Sequence, residues 1–224
     1  MLRHLVFDVN ETLLDVAALD PLFERLFGDA NSRVEWFLTL QEGWMTATII
    51  GRFQPFADLA QAALVVVGRR HGVEVSEAHC QELVEGIKRL PAHPDVRPSL
   101  EQLRDAGFHL TALSNGSLQA LRQQLETAGL GKSFDAVLSV EETQRYKPAA
   151  EPYRMTAERQ GIALGEMMMV AAHAWDITGA AAAGCRTAFI ARPGKVLNPA
   201  GSQPDLIGDD LQDFAAKLLA GRQA

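Results

Sequence analysis

Cysteine is scarce in this chain. Cys80 and Cys185 are its only two, too few for a disulfide framework and without the C-x-x-C type of spacing that holds a metal. They read as two buried or half-buried thiols, and a reduced cytoplasm is the expected location. Long apolar runs are missing as well. The stretch "AALVVVG" falls far short of the ~20 residues that span a bilayer, and Asp8 interrupts the early apolar run that a signal peptide would need. No membrane partner is expected. Positive charge is in deficit, with 21 Lys and Arg against 28 Asp and Glu and a net charge of −7. That balance favours solubility and argues against a nucleic-acid partner. It also means that an anionic substrate must be met by a local cation. The rest is ordinary for a globular protein: 224 residues, 47% apolar and 22% charged. That is enough for one large domain or a core with a smaller domain inserted.

Five short segments are apolar almost throughout: "HLVFD" (4–8), "HLTALS" (109–114), "DAVLS" (135–139), "MMMVAA" (167–172) and "TAFIA" (187–191). Brief, uninterrupted runs of this kind suit parallel strands covered on both faces. Helical patterns separate the last four. "SLQALRQQLETAGLG" spaces Leu118, Leu121, Leu125 and Leu130 at helical intervals, "EPYRMTAERQGI" offers Gly161 as a C-terminal cap, and "DITGAAAAGC" is a short alanine-rich helix. This alternation predicts an α/β fold with a doubly wound, Rossmann-like parallel sheet.

No comparable strand lies between the first two. Residues 16–95 read instead as helices, with Ser76 as an N-cap before Glu77, and the three prolines of "PAHPDVRPSL" suit a returning linker. The expected organisation is therefore a core domain of residues 1–15 and 96–224 with an α-helical cap domain, residues 16–95, inserted after the first strand. Such an insertion leaves from the carboxyl edge of the sheet, where open α/β folds bind ligands.

Four chemical landmarks fall at four strand ends. Asp8 follows the first, Ser114-Asn115-Gly116 the second, Lys147-Pro148 comes after the third, and Asp176 lies just beyond the fourth. A lone aspartate at a strand end is usually a cap, and a lone lysine is usually solvated. A carboxylate, a hydroxyl and amide, an ammonium and a second carboxylate gathered at one sheet edge instead describe a nucleophile site.

With these landmarks the chain resembles the haloacid-dehalogenase-like hydrolases over nearly its whole length. "FDVNETL", "LSNGS", "YKPAAEPY" and "VAAHAWD" are similar to the four motifs of that superfamily. The wording "SNGS", the spacing from Lys147 to Tyr153, "AWDITGA" and the placement of the helical cap resemble the type II 2-haloacid dehalogenases in particular. The resemblance implies that Asp8 displaces a halide by back-side attack and becomes an ester, which water then hydrolyses. It implies that Thr12, Ser114 and Lys147 hold the Asp8 carboxylate. Asn115 would contact the departing halide, and Tyr153 and Asp176 would belong to the network around Lys147 and the hydrolytic water. Asn10, Phe37, Phe56, His173 and Trp175 are the candidate substrate-binding residues. The implied substrate is a small molecule, and relatives suggest a homodimer.

The residue two after the nucleophile is a second aspartate in the superfamily's phosphatases, where it protonates the leaving alkoxide. Here it is Asn10, and an amide cannot supply that proton. Ala172 stands where those enzymes place an acid four residues before Asp176. Both changes deplete an oxygen cage for magnesium, whereas a halide leaving group needs neither proton nor metal, so no metal or other cofactor is expected. Three departures from the dehalogenase pattern stand beside this. Asn10 replaces an aromatic residue. Phe37 follows Trp36 where an arginine is usual, with Arg33 and Arg52 as the possible substitutes. Ala171, Ala172 and His173 replace Ser-Ser-Asn. His173 could act as a base, bind an anion when protonated, or simply fill the asparagine's volume. Trp36 and Phe37 fit a pocket wall and a cap interior equally well. The alternatives are a magnesium-dependent phosphatase with a weakened metal site and a binding protein that has lost turnover.

Overall fold

A computed structural model describes residues 2–223. Among them, six parallel strands form one sheet in the order β3-β2-β1-β4-β5-β6. They are β1 (His4–Phe7), β2 (His109–Ser114), β3 (Ala136–Ser139), β4 (Met167–Ala171), β5 (Arg186–Ile190) and β6 (Leu206–Gly208). Alternate residues serve opposite faces. Leu5, Phe7, Met168 and Val170 enter one apolar cluster, and Val6, Met167, Met169 and Ala171 the other. Burial on both sides explains why these strands are apolar almost throughout. All five expected strands form. β6 was not expected: three residues long at the sheet edge, it gives no periodic signal.

From β1 the chain builds outward through β2 and β3, then returns to the other side of β1 for β4, β5 and β6. The order reverses between β1 and β4. A crevice opens at the carboxyl ends of such a pair, and both Asp8 and Asp176 lie there.

Between β1 and β2 run α1 (Asp20–Phe27), α2 (Ser32–Ile49), α3 (Phe56–His71), α4 (Glu77–Ile87) and α5 (Val96–Asp105). Ser76 caps α4 as expected. Its Oγ accepts from His79 N at 3.3 Å, and His79 Nδ1 accepts from Ser76 N at 3.2 Å. The proline-rich return is shorter than a linker reading implies, because α5 starts at Val96 with Pro98 in its first turn. An N–H there would have no intrahelical partner, so proline costs nothing. Trp36 belongs to the interior of the inserted helices, where its Nε1 donates to Ala60 O at 2.9 Å and its ring lies 5.5 Å from Phe23.

The chain leaves for the insertion and returns from it along one paired strap. Asp15 N donates to Pro91 O at 2.8 Å and His93 N to Leu13 O at 2.9 Å. Beyond β2 come α6 (Leu118–Thr127), α7 (Ala150–Gln160), α8 (Ala174–Ala183) and α9 (Leu211–Gln223). Gly161 ends α7 at φ 66°. Gly179 lets α8 pack onto Pro148, for a Cβ added there would stand 2.4 Å from Pro148 Cβ and 2.6 Å from its carbonyl oxygen. No helix among the described residues is long and apolar enough to cross a membrane.

Candidate functional site

Asp8 is the first residue past β1, and its N–H still donates to Val170 O at 3.0 Å, so β4 fixes its place. The chain then turns sharply. Leu13 N and Leu14 N both donate to Val9 O, at 2.8 and 3.0 Å, and Glu11 takes a left-handed φ of 64°. The turn brings Thr12 back over Asp8. Thr12 Oγ1 donates to Asp8 Oδ2 at 2.7 Å and accepts from Ala172 N at 2.9 Å. Lys147 Nζ bridges the two carboxylates, 2.9 Å from Asp8 Oδ1 and 2.6 Å from Asp176 Oδ2. Tyr153 Oη donates to Asp176 Oδ1 at 2.6 Å. Lys147, Tyr153 and Asp176 are wholly buried and Asp8 is 6% exposed, so these charges meet little solvent screening.

Burial by itself would raise the Asp8 pKa. The Lys147 charge and the hydrogen bond to His173 overcome it and hold Asp8 below the usual carboxylate range. Asp176 goes the other way: burial and the nearby Asp8 charge raise it despite Lys147. Lys147 itself is raised, because the two carboxylates outweigh the desolvation that disfavours its charge. One ammonium thus serves two carboxylates with opposed proton affinities, Asp8 firmly ionised and Asp176 the more basic.

His173 lies on the far side of Asp8. Its Nδ1 is 3.0 Å from Asp8 Oδ2 and its Nε2 is 2.8 Å from Glu11 Oε2. Lys195 Nζ donates to the same Glu11 oxygen at 2.5 Å. Burial disfavours a charged ring, yet the two carboxylate partners push the His173 pKa up to about 9. Burial is likewise overcome at Glu11, which His173 and Lys195 bring down to about 2. Phe37 stacks on the His173 ring at 5.6 Å and 10°, and Trp175 at 4.9 Å and 25°. These side chains line a groove of about 340 Å³. Of the possible arginine substitutes, Arg33 pairs with Asp20 and stands 3.8 Å from Glu11 Oε1, while Arg52 is exposed.

Two expected site residues, Ser114 and Asn10, point away from Asp8, and Asn115 faces the Lys147 backbone. Ser114 makes no hydrogen bond to Asp8; its Oγ accepts from Gly116 N at 2.9 Å and so shapes the turn after β2. Asn115 ties that turn to Lys147, accepting from Lys147 N at 2.9 Å and donating to Lys147 O at 3.3 Å. One N–H of its amide is left over. Asn10 turns away from Asp8: its Oδ1 accepts from Gln124 Nε2 at 3.0 Å. With Phe56 and Gln124 it lines a separate cavity of about 260 Å³ that also reaches Gly116 and Ser117. Glu11, Lys195 and Gln124 were missed in the sequence. Glu11 and Lys195 are 184 positions apart, and no local pattern joins them.

The donor set does not fit a magnesium ion. The Lys147 ammonium stands between Asp8 and Asp176 where a cation would have to lie, His173 faces the other Asp8 oxygen, and positions 10 and 172 supply no carboxylate. No cluster of metal-binding side chains occurs among the described residues. What the arrangement offers is a desolvated, ionised carboxylate with a cation on each side, and a second carboxylate able to take a proton.

Comparison with known proteins agrees with this. The chain matches the family model of the haloacid dehalogenase-like hydrolases over residues 2–184. It is 28% identical to an (S)-2-haloacid dehalogenase of Pseudomonas putida, over 97% of this chain and 98% of that protein. An (S)-2-haloacid dehalogenase of Burkholderia cepacia is 31% identical, over 86% of this chain and 84% of its own length. A solved structure of an L-2-haloacid dehalogenase from Xanthobacter autotrophicus, with chloropropionic acid covalently bound, is similar with a TM-score of 0.90. That pair shares 25% identity over 99% of each chain.

Proposed function

The chain belongs to the haloacid dehalogenase-like hydrolases, and from that premise we propose that it hydrolyses the carbon–halogen bond of a small 2-haloacid through an Asp8 ester. The observation that carries this reading is the setting of Asp8: buried, held by the Lys147 ammonium and the Thr12 hydroxyl, with an amide and no carboxylic acid at position 10. Oδ2 accepts two hydrogen bonds, from Thr12 and His173, whereas Oδ1 accepts one, from Lys147. Oδ1 therefore keeps the lone pair for attack. It forms a bond to C2 of the substrate as the carbon–halogen pair leaves with the halide, and no proton moves.

Water then attacks the ester carbonyl carbon, and Asp176, the more basic carboxylate, takes its proton. Tyr153 orients Asp176, and Lys147 links the two steps by touching both carboxylates. In this proposal residues 16–95 form a cap that excludes water from the displacement. The substrate carboxylate must then find its cation outside position 37, and Arg33 and Lys195 both line the groove. A cytoplasmic homodimer belongs to the same reading, and sedimentation of the purified chain tests its dimeric part.

The deciding experiment offers both enantiomers of 2-chloropropionate and reads halide release, followed by a single turnover in heavy-oxygen water. Label should enter the Asp8 carboxyl first. Label that appears directly in the 2-hydroxyacid would assign the attack to water and overturn the ester mechanism. Phosphate-ester hydrolysis faster than any dehalogenation, and dependent on magnesium, would move the chain to the phosphatase reading.

A further inference from the structure

Resting on the dehalogenation reading, we infer that His173 is a further catalytic residue: its imidazolium and the Thr12 hydroxyl form the oxyanion site for hydrolysis of the Asp8 ester. The geometry requires the doubly protonated ring. Nδ1 faces Asp8 Oδ2 at 3.0 Å and Nε2 faces Glu11 Oε2 at 2.8 Å. A neutral imidazole would turn one lone pair onto a carboxylate. A ring with both nitrogens protonated has no lone pair for water, so His173 is a donor and not a base. Its plane is fixed by stacking on Phe37 and Trp175, and it is 6% exposed. Lys195 anchors the Glu11 carboxylate that holds the ring from behind.

Once Oδ1 carries the substrate, Oδ2 is the carbonyl oxygen of the ester. Water oxygen bonds to Cγ, the Cγ–Oδ2 π pair moves onto Oδ2, and the water proton goes to Asp176. The developing charge falls between Thr12 Oγ1–H and His173 Nδ1–H, both already in place, so no reorganisation is needed at the moment of reaction. Collapse returns the pair to Cγ–Oδ2 and breaks Cγ–Oδ1. The departing alkoxide of the 2-hydroxyacid takes the proton from Asp176. The second water proton stays on the new Asp8 carboxyl and is lost to solvent as Asp8 ionises again. His173 keeps its protons throughout.

The test is a rapid-quench single turnover of the full chain with 2-chloropropionate, following halide release and the mass of the Asp8 peptide. His173→Asn and His173→Gln should form the ester within about tenfold of the wild-type rate and hydrolyse it ~10²–10³-fold more slowly, the loss that follows removal of one oxyanion donor. The ester should accumulate. The pH profile gives a reading that needs no His173 variant. The ring faces Asp8 and Glu11 from the turn after β1, Lys195 and Arg33 act on it through Glu11, and Lys147 through Asp8. Ester hydrolysis in the wild type should slow as pH rises and the imidazolium loses its proton. Glu11→Gln should move that descent to lower pH. An ester hydrolysis rate that rises with pH and loses the rise in His173→Gln would make His173 a base and overturn the inference. So would a His173→Gln enzyme that clears its ester at the wild-type rate; dehalogenation through Asp8 would then stand alone. Absence of both halide and ester from the wild type would remove the functional reading and this inference together.

Discussion

Replacing Lys147 by alanine separates the electrostatic account of this site from a merely structural one. The ammonium is wholly buried, 2.9 Å from one carboxylate and 2.6 Å from the other. Alanine leaves both anions in place with their shared counter-charge gone. Breaking a buried pair in this way costs about 3–5 kcal/mol. For a chain of this size each kcal/mol moves Tm by about 2–4 °C, so the expected drop is roughly 6–20 °C. The same energy corresponds to ~2–4 pH units in the affinity of the carboxylate pair for a proton.

The direction of the pH effect follows from Asp8. Its folded pKa lies below the ordinary aspartate value of 3.8, so its ionisation contributes stability above that value, which is lost as pH falls through the folded pKa. Without Lys147 the depression goes. The pair takes up a proton between acidic and neutral pH: the nucleophile is lost there, whereas protonation relieves the repulsion between the two buried carboxylates, so the loss of stability is fullest above that range. Thermal melts and kcat/KM, each recorded against pH for wild type and Lys147→Ala, check this. The acid limb should enter the measurable range only in the variant. An unchanged Tm with an unmoved acid limb would refute the claim that Lys147 governs the ionisation of Asp8.

Asp8→Asn should abolish halide release while circular dichroism remains that of the wild type, because the side-chain volume is kept. Tyr153→Phe removes a donor from Asp176 and should move the acid limb of the pH–rate profile upward, by less than Lys147→Ala does. Gly179→Ala forces a methyl group toward Pro148 and should cost ~1–3 kcal/mol of stability. A melt indistinguishable from wild type would show that α8 can shift freely. Dialysis against a chelator should leave dehalogenation intact, and Asn10→Asp should not create a useful magnesium-dependent phosphatase, since position 172 still lacks its acid; assays with and without added magnesium check both.

The parts of the fold legible in the sequence were those with a local cause. Strands buried on both faces announced themselves as apolar runs, Ser76 as a cap and Gly161 as a left-handed stop. β6 is too short and too close to the edge to show a pattern, and α5 was hidden by prolines that a first helical turn tolerates. In the site, Asp8, Lys147 and Asp176 were legible because each stands near the end of a predicted strand, and strand order alone brings them together. The family resemblance implies that Ser114 holds Asp8, but its hydroxyl oxygen serves the turn after β2. The His173 environment was not legible. Its partners Glu11 and Lys195 lie in a turn and a loop, and their convergence depends on the left-handed backbone at Glu11 and on how two distant loops fold over one strand end.

The paired strap that carries the inserted helices has a mechanical consequence. The insertion is covalently suspended at one place, so a rigid-body swing has a single pivot, near residues 13–15 and 91–93. Arg192 pins that pivot to the core: its guanidinium donates to Thr12 O at 3.1 and 3.0 Å and to Asp95 Oδ1 at 2.8 Å. A swing of the helices would have to part contacts away from the pivot, such as Tyr146 Oη on Gln54 O. Thr12 sits at the still point. Its hydroxyl would stay on Asp8 through such a swing, so an opening at this pivot would not disarm the nucleophile.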